Sequence, residues 1–139
     1  MDSARLLAEA RRAKAAHAKR YCMVLSGRGP NDREIDRLCE TVQAIKSEMG
    51  LSICCSLGLL RPEQAARLKA AGVDRINHNL NTSRRFHPQI CTTHTWEERY
   101  ETVKLMHSLG IETCCGGIFG MGESVDDRVS LAFSLKELN

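Results

Sequence analysis

Three stretches of this chain carry cysteine at equivalent points: Arg20-Tyr21-Cys22-Met23-Val24, Ser52-Ile53-Cys54-Cys55-Ser56 and Glu112-Thr113-Cys114-Cys115-Gly116. Thiols repeated on successive strand-like segments can aim several sulfurs at one point, as a metal or iron–sulfur centre requires. A fourth stretch, Asn77-His78-Asn79-Leu80-Asn81-Thr82-Ser83, alternates asparagine with other residues. Asparagine is depleted in strands, and a row of amides on a buried face needs a polar ligand or water to satisfy it. Amides that both donate and accept suit ribose hydroxyls or a ureido group.

The elements that must hold these residues follow from the glycines. Three times a helix-like stretch ends in glycine before a strand: at Gly50 into Leu51, Gly72 into Val73 and Gly110 into Ile111. Glycine just past a helix end enters the left-handed conformation without a Cβ penalty. Pro62 suits a first helical position, Thr95 with Glu98 makes a capping box, and Ser124 with Asp127 makes a weaker one. The pattern predicts helices at about 3–18, 32–49, 62–71, 95–109 and 124–138, and strands at 20–26, 51–57, 74–80 and 111–119. Four parallel strands alternating with five helices imply an α/β fold: an open doubly wound sheet or part of a (β/α)8 barrel.

Period 2 then sorts the side chains. Tyr21, Met23 and Leu25 form the apolar phase of the first strand, turning Arg20, Cys22, Val24 and Ser26 to the other face. Leu51 and Ile53 select Ser52, Cys54 and Ser56; Ile76 and Leu80 select Asn77, Asn79 and Asn81; Ile111 selects Glu112, Cys114 and Gly116. One rule therefore gathers Cys22, Cys54 and Cys114 with the asparagines, and puts His78 in the outward phase as a structural histidine. A lone buried cysteine usually just packs, but three with common phasing point to a cluster. Zinc sites usually show close CxxC pairs, which the sequence lacks. Cys39 shares the apolar face of a helix with Ile35, Leu38, Val42 and Ile45 and reads as core. Cys55, Cys91 and Cys115 default to packing, and His87 and His94, in the loop after the third strand, give only a weak functional signal.

Gly116-Gly117-Ile118-Phe119-Gly120-Met121-Gly122 resembles a dinucleotide fingerprint only superficially, because Val125 stands where a third glycine belongs. Glycines at a strand end either let backbone approach a flat ligand or make a tight turn.

Composition narrows the classes. The 139 residues suffice for one domain, and 42% hydrophobic content fits a globular chain. A net charge of +3, with acids and bases interleaved, offers no stripe for nucleic acid. No apolar run reaches a membrane span's length and no signal peptide opens the chain, so a cytoplasmic protein is expected. There thiols stay reduced, so seven cysteines argue for metal or redox chemistry over disulfides.

The combination of Tyr21-Cys22-Met23, the asparagine stretch 77–83, Thr92-Thr93-His94-Thr95 with Glu98-Arg99, and Cys114-Cys115-Gly116-Gly117-Ile118 resembles the biotin synthase family of the radical SAM superfamily, through almost the whole chain. The resemblance implies a (β/α)8 barrel that inserts sulfur into dethiobiotin. A 4Fe-4S cluster would cleave S-adenosylmethionine to a deoxyadenosyl radical, and a 2Fe-2S cluster would donate sulfur. It further implies Cys22, Cys54 and Cys114 as ligands of the sulfur-donating cluster. Asn77 and Asn79 would contact dethiobiotin, Asn79 with Asn81 the ribose of S-adenosylmethionine, and Ile118 the adenine. Arg20 would lie near the cluster. Some family members carry aspartate where Asn81 stands, so Asn81 keeps a hydrogen bond and loses a charge. A homodimer and a reductant protein are the further partners implied.

Two family features have no counterpart in these 139 residues: the CxxxCxxC motif of the radical-generating cluster and the arginine completing the second cluster. The expectation is that residues 1–139 form the central part of a barrel domain incomplete at both ends, unstable or self-associating alone and unable to cleave S-adenosylmethionine. Two other readings compete: another radical SAM barrel such as a hydrogenase maturase, and a non-catalytic flavodoxin-like domain binding a metal or nucleotide.

Overall fold

The computed structural model describes residues 2–138. Its elements alternate as α1 (Ser3–Ala15), β1 (Arg20–Val24), α2 (Asp32–Met49), β2 (Ser52–Ser56), α3 (Pro62–Ala71), β3 (Arg75–Asn77), α4 (His87–Ile90), α5 (Trp96–Ser108), β4 (Glu112–Cys114) and α6 (Val125–Glu137). Capping fixes most helix starts. Asn31 with Glu34, Thr95 with Glu98 and Ser124 with Asp127 each form a complete capping box, each pairing two backbone N–H groups that the helix leaves free. Gly50 and Gly72 close α2 and α3 at φ 61° and 100°, so these two helices end where sequence placed them.

The four strands pair in parallel in the order β1-β2-β3-β4. A flavodoxin-like sheet puts its first strand inside the sheet, so this unbroken order removes that alternative and leaves a run of consecutive barrel strands. The helices pack in the same order, α1 on α2, α2 on α3 and α3 on α5. One face of the sheet supplies Met23, Ile53, Cys55, Ile76 and the adjoining Ile111 to a core completed by Ile35, Val42, Ile45, Leu68 and Met106. Across it, Cys22, Val24, Glu112 and Cys114 are exposed. The period-2 assignment therefore holds for strand direction: greasy residues meet the helices and the cysteine phase faces the open side.

Asp74 clasps two layers together. Its carboxylate accepts from the Ile53 N–H at 2.7 Å and from Lys46 Nζ at 2.9 Å, linking β2, the start of β3 and α2. Farther along, the turns after β1 and β2 cross backbone to backbone. The Leu59 N–H donates to the Arg28 carbonyl at 2.8 Å, and a Cβ on Gly58, which sits at φ +77°, would collide with that carbonyl oxygen. Gly58→Ala is expected to destabilise the fold by about 2–4 kcal/mol through backbone strain and overpacking, read as a lower denaturant midpoint at unchanged slope.

All four strands are shorter than expected, β3 and β4 most of all. β3 spans three residues because the chain leaves the ladder after Asn77 and rejoins it only at an isolated bridge, Asn81 to Gly117, with Asn81 at φ 71°. β4 likewise ends at Cys114. The short helix α4 was not expected.

Candidate functional site

Register brings the singled-out residues together on the open face. Cys22 of β1 lies beside Cys54 of β2, Cys54 beside Arg75 of β3, and Asn77 beside Cys114 of β4. Cys54 is the most enclosed of the three, 5% exposed. Burial, followed by the neighbouring Cys22 and Cys114 thiols, pushes its pKa up to about 11, while Arg75 pulls the other way. Crowded thiols that oppose each other's ionisation are the donor set a cationic metal centre relieves.

Beneath them lies a charged floor that includes a residue not singled out from sequence. Arg75 bonds Glu112, Arg20 Nη2 stands 3.8 Å from the same carboxylate, and Arg20 Nε reaches Ser52 Oγ at 3.4 Å. Arg75 Nε is buried with no hydrogen-bond partner among the described residues. Stepping back two residues from Asn77 in the same period reaches Arg75, so the signal was present. An unsatisfied guanidinium N–H beside Cys54 fits an anionic, sulfur-rich group on this face.

The asparagines line the same side. Asn77, Asn79 and Asn81 are half-buried, and no protein group among the described residues hydrogen-bonds their side-chain amides. Their backbone is held instead: the Arg99 Nε–H donates to the Asn79 carbonyl, and the Ile118 N–H donates to the Asn81 carbonyl at 2.7 Å. Ile118 is exposed next to that bridge. Gly117 has a packing reason of its own, since a Cβ there would strike Leu131 of α6. His78 is buried in the outward phase as expected, but its Nε2 lacks a partner among the described residues, and burial with the Arg99 and His94 charges lowers its pKa to about 3.

The segment after Asn81 is tied to α6 through one carboxylate. Asp127 accepts from Ser83 Oγ at 2.6 Å, Arg85 Nη2 at 2.9 Å, Ser124 Oγ at 2.7 Å and the Ser124 N–H at 2.9 Å. The serine hydrogen bonds, from Ser83 first, hold its carboxyl far below the usual range, and the Gly120 N–H does most to hold Glu123 down to about 2. A depressed folded-state pKa means stabilisation that is complete above the unfolded value near 4 and fades as pH falls through the folded one. Thermal melts should therefore lose midpoint between pH 5 and pH 2, and Asp127→Asn should start lower at pH 7 and fall less.

The profile of the Radical SAM superfamily matches residues 1–135, and the chain belongs to that superfamily. Membership implies S-adenosylmethionine and an iron–sulfur cluster as the cofactors of the intact enzyme. Over nearly its whole length the chain is similar to biotin synthases: 53% identical over 138 residues to that of Rhodopirellula baltica, covering 99% of this chain and 37% of the relative. It is 52% identical over 134 residues to that of Halalkalibacterium halodurans, covering 96% and 40%. The chain thus spans about two fifths of the length of these relatives. Among solved structures, methylornithine synthase (PylB) superposes with a TM-score of 0.82 at 16% identity, over 96% of this chain and 40% of that one. The hydrogenase maturase HydG superposes at 0.81 with 15% identity, over 99% and 32%. These likenesses establish the barrel fold. No described helix is long and apolar enough to cross a membrane.

Proposed function

We propose that these 139 residues are the central, sulfur-handling portion of a biotin synthase, the enzyme that inserts sulfur into dethiobiotin by radical S-adenosylmethionine chemistry. The observation that carries this reading is the register: Cys22 beside Cys54, and Cys114 beside Asn77, on the open face of the sheet. Identity near 50% to biotin synthases, against 15% to HydG, favours it over a hydrogenase maturase.

In this reading Cys22, Cys54 and Cys114 hold a 2Fe-2S cluster as three of its ligands, and Arg75, with its unpartnered Nε, balances the negative charge that accumulates there. Such a cluster, when bound, supplies the sulfur to be inserted. Asn77 and Asn79 orient dethiobiotin by its ureido group, Asn79 and Asn81 hold the ribose of S-adenosylmethionine, and Ile118 packs on the adenine. Arg99 fixes the Asn79 backbone, and so sets the angle at which that amide meets its ligand. The 4Fe-4S cluster, a homodimer, a reductant protein and a cytoplasmic setting belong to the intact enzyme, of which residues 1–139 form the middle of the barrel.

The test is anaerobic reconstitution with iron and sulfide. The expected result is protein-bound iron and sulfide with thiolate charge-transfer absorption, and no release of deoxyadenosine from S-adenosylmethionine. A chain that binds neither would refute the cluster site, and turnover would refute its placement in the middle of the enzyme.

A further inference from the structure

A second group of metal-binding side chains lies away from the strand cysteines. His87 opens α4, Cys91 follows that helix, and His94 sits just ahead of α5. A ring nitrogen of each histidine and the Cys91 sulfur lie within 4.8 Å of one another. Cys91 Sγ is 3.5 Å from His94 Nδ1, the separation that adjacent ligands take in a tetrahedral zinc site with bonds of about 2.0–2.3 Å. His87 is 1% exposed, yet its Nε2 has no hydrogen-bond partner among the described residues. A buried, unsatisfied imidazole nitrogen costs stability unless something meets it. Thr93 Oγ1, 3.0 Å from His94 Nδ1 and 3.5 Å from Cys91 Sγ, stands at the open side.

We propose that His87, Cys91 and His94 form a mononuclear zinc site, with Thr93 or water in the fourth position. The ligand set is two imidazoles and one thiolate, which suits a borderline divalent cation and would not hold calcium or magnesium. The loop provides the backbone for it: the Cys91 N–H bonds the His87 carbonyl at 3.1 Å and the His87 N–H bonds the Ser83 carbonyl at 3.0 Å, so the ligands sit on a closed turn. One cation competes. Arg99 Nη1 lies 2.9 Å from His94 Nε2 and donates to it, and a metal on His94 Nδ1 moves the imidazole proton to Nε2, where that contact is lost. Zinc and the Arg99 contact to His94 therefore exclude each other, while Arg99 keeps its hold on the Asn79 carbonyl through Nε.

The site is separate from the strand cysteines, so its test is too. Chain dialysed against buffered zinc should retain one equivalent by elemental analysis. Cobalt(II) in its place should give a thiolate charge-transfer band and tetrahedral ligand-field absorption. Cys91→Ser and His87→Gln should lose that equivalent, and a variant with Cys22, Cys54 and Cys114 all changed to serine should keep it. Arg99→Gln should bind zinc several-fold more tightly. If His87→Gln fails to fold by circular dichroism, the partly exposed Cys91→Ser decides. Equal zinc in the parent chain and Cys91→Ser, no zinc in the parent chain, or an unchanged affinity in Arg99→Gln would each overturn the assignment.

Discussion

Cys54→Ala is expected to remove nearly all of the iron and sulfide that the reconstituted chain takes up, while Cys39→Ala leaves both unchanged. Cys54 stands on β2, in register with Cys22 on one side and next to Arg75 on the other. Without it the remaining thiols, Cys22 and Cys114, sit on the two outer strands of the sheet with β2 and β3 between them. Two thiolates are only half of the four ligands that such a cluster takes, and the lost one is the thiol on a strand between them. Cys39 is the control: it packs against the helical core, where burial raises its thiol pKa. Cys55→Ala separates the effects further. Cys55 is fully buried on the helix side with a pKa pushed far up by burial, so its loss should lower the melting temperature and spare the iron. Quantifying iron and labile sulfide per chain across the three variants checks the ligand assignment, and unchanged iron in Cys54→Ala would remove it.

The second large effect concerns association. Val125, Val129 and Phe133 recur every four residues along α6 and are 71%, 49% and 62% exposed, with Phe119 exposed nearby. Such spacing lays an apolar stripe along one helix face. At the sheet margins β1 and β4 each have a single neighbour, so two rows of backbone groups lack strand partners, and exposed edges of this kind template further pairing. The chain should therefore run well above its 15.5 kDa monomer mass in sedimentation. Covering one large apolar side chain is worth about 1.5–3 kcal/mol, so Val129→Lys with Phe133→Lys should weaken association by roughly a hundredfold or more. A parent chain that stays monomeric at about 100 μM, a concentration where contacts worth more than roughly 5.5 kcal/mol would show, would rule the stripe out as a self-contact.

The residues themselves explain how much of this could be read in advance. The ends of α2 and α3 were legible because each carries a glycine stop, and the start of α3 because Pro62 marks it. The cysteine phase was legible because Tyr21 and Met23 on β1 and Ile53 on β2 mark the helix-facing phase. β3 was not: Ile76 and Leu80 share a phase, which suggested one continuous strand, but the irregular backbone after Asn77 and the left-handed Asn81 are held by Arg99 and by a bridge to Gly117, contacts remote in sequence. Four residues are too few to show a helical period, so α4 gave no pattern, and with it the meeting of His87, Cys91 and His94 stayed hidden. Spacing alone pointed to paired cysteines as the mark of a metal, whereas here one cysteine is flanked by histidines three and four positions away.

The strand order has a consequence for how the chain is made. Because β1, β2, β3 and β4 sit in space as they emerge in sequence, each new strand pairs with the one synthesised before it, and α2, α3 and α5 each dock on an earlier helix. Folding during translation can then proceed as vectorial growth along these four strands, each pairing with the one synthesised before it. A nascent chain arrested once β3 has cleared the ribosome should already protect the amides of β1 and β2 from exchange.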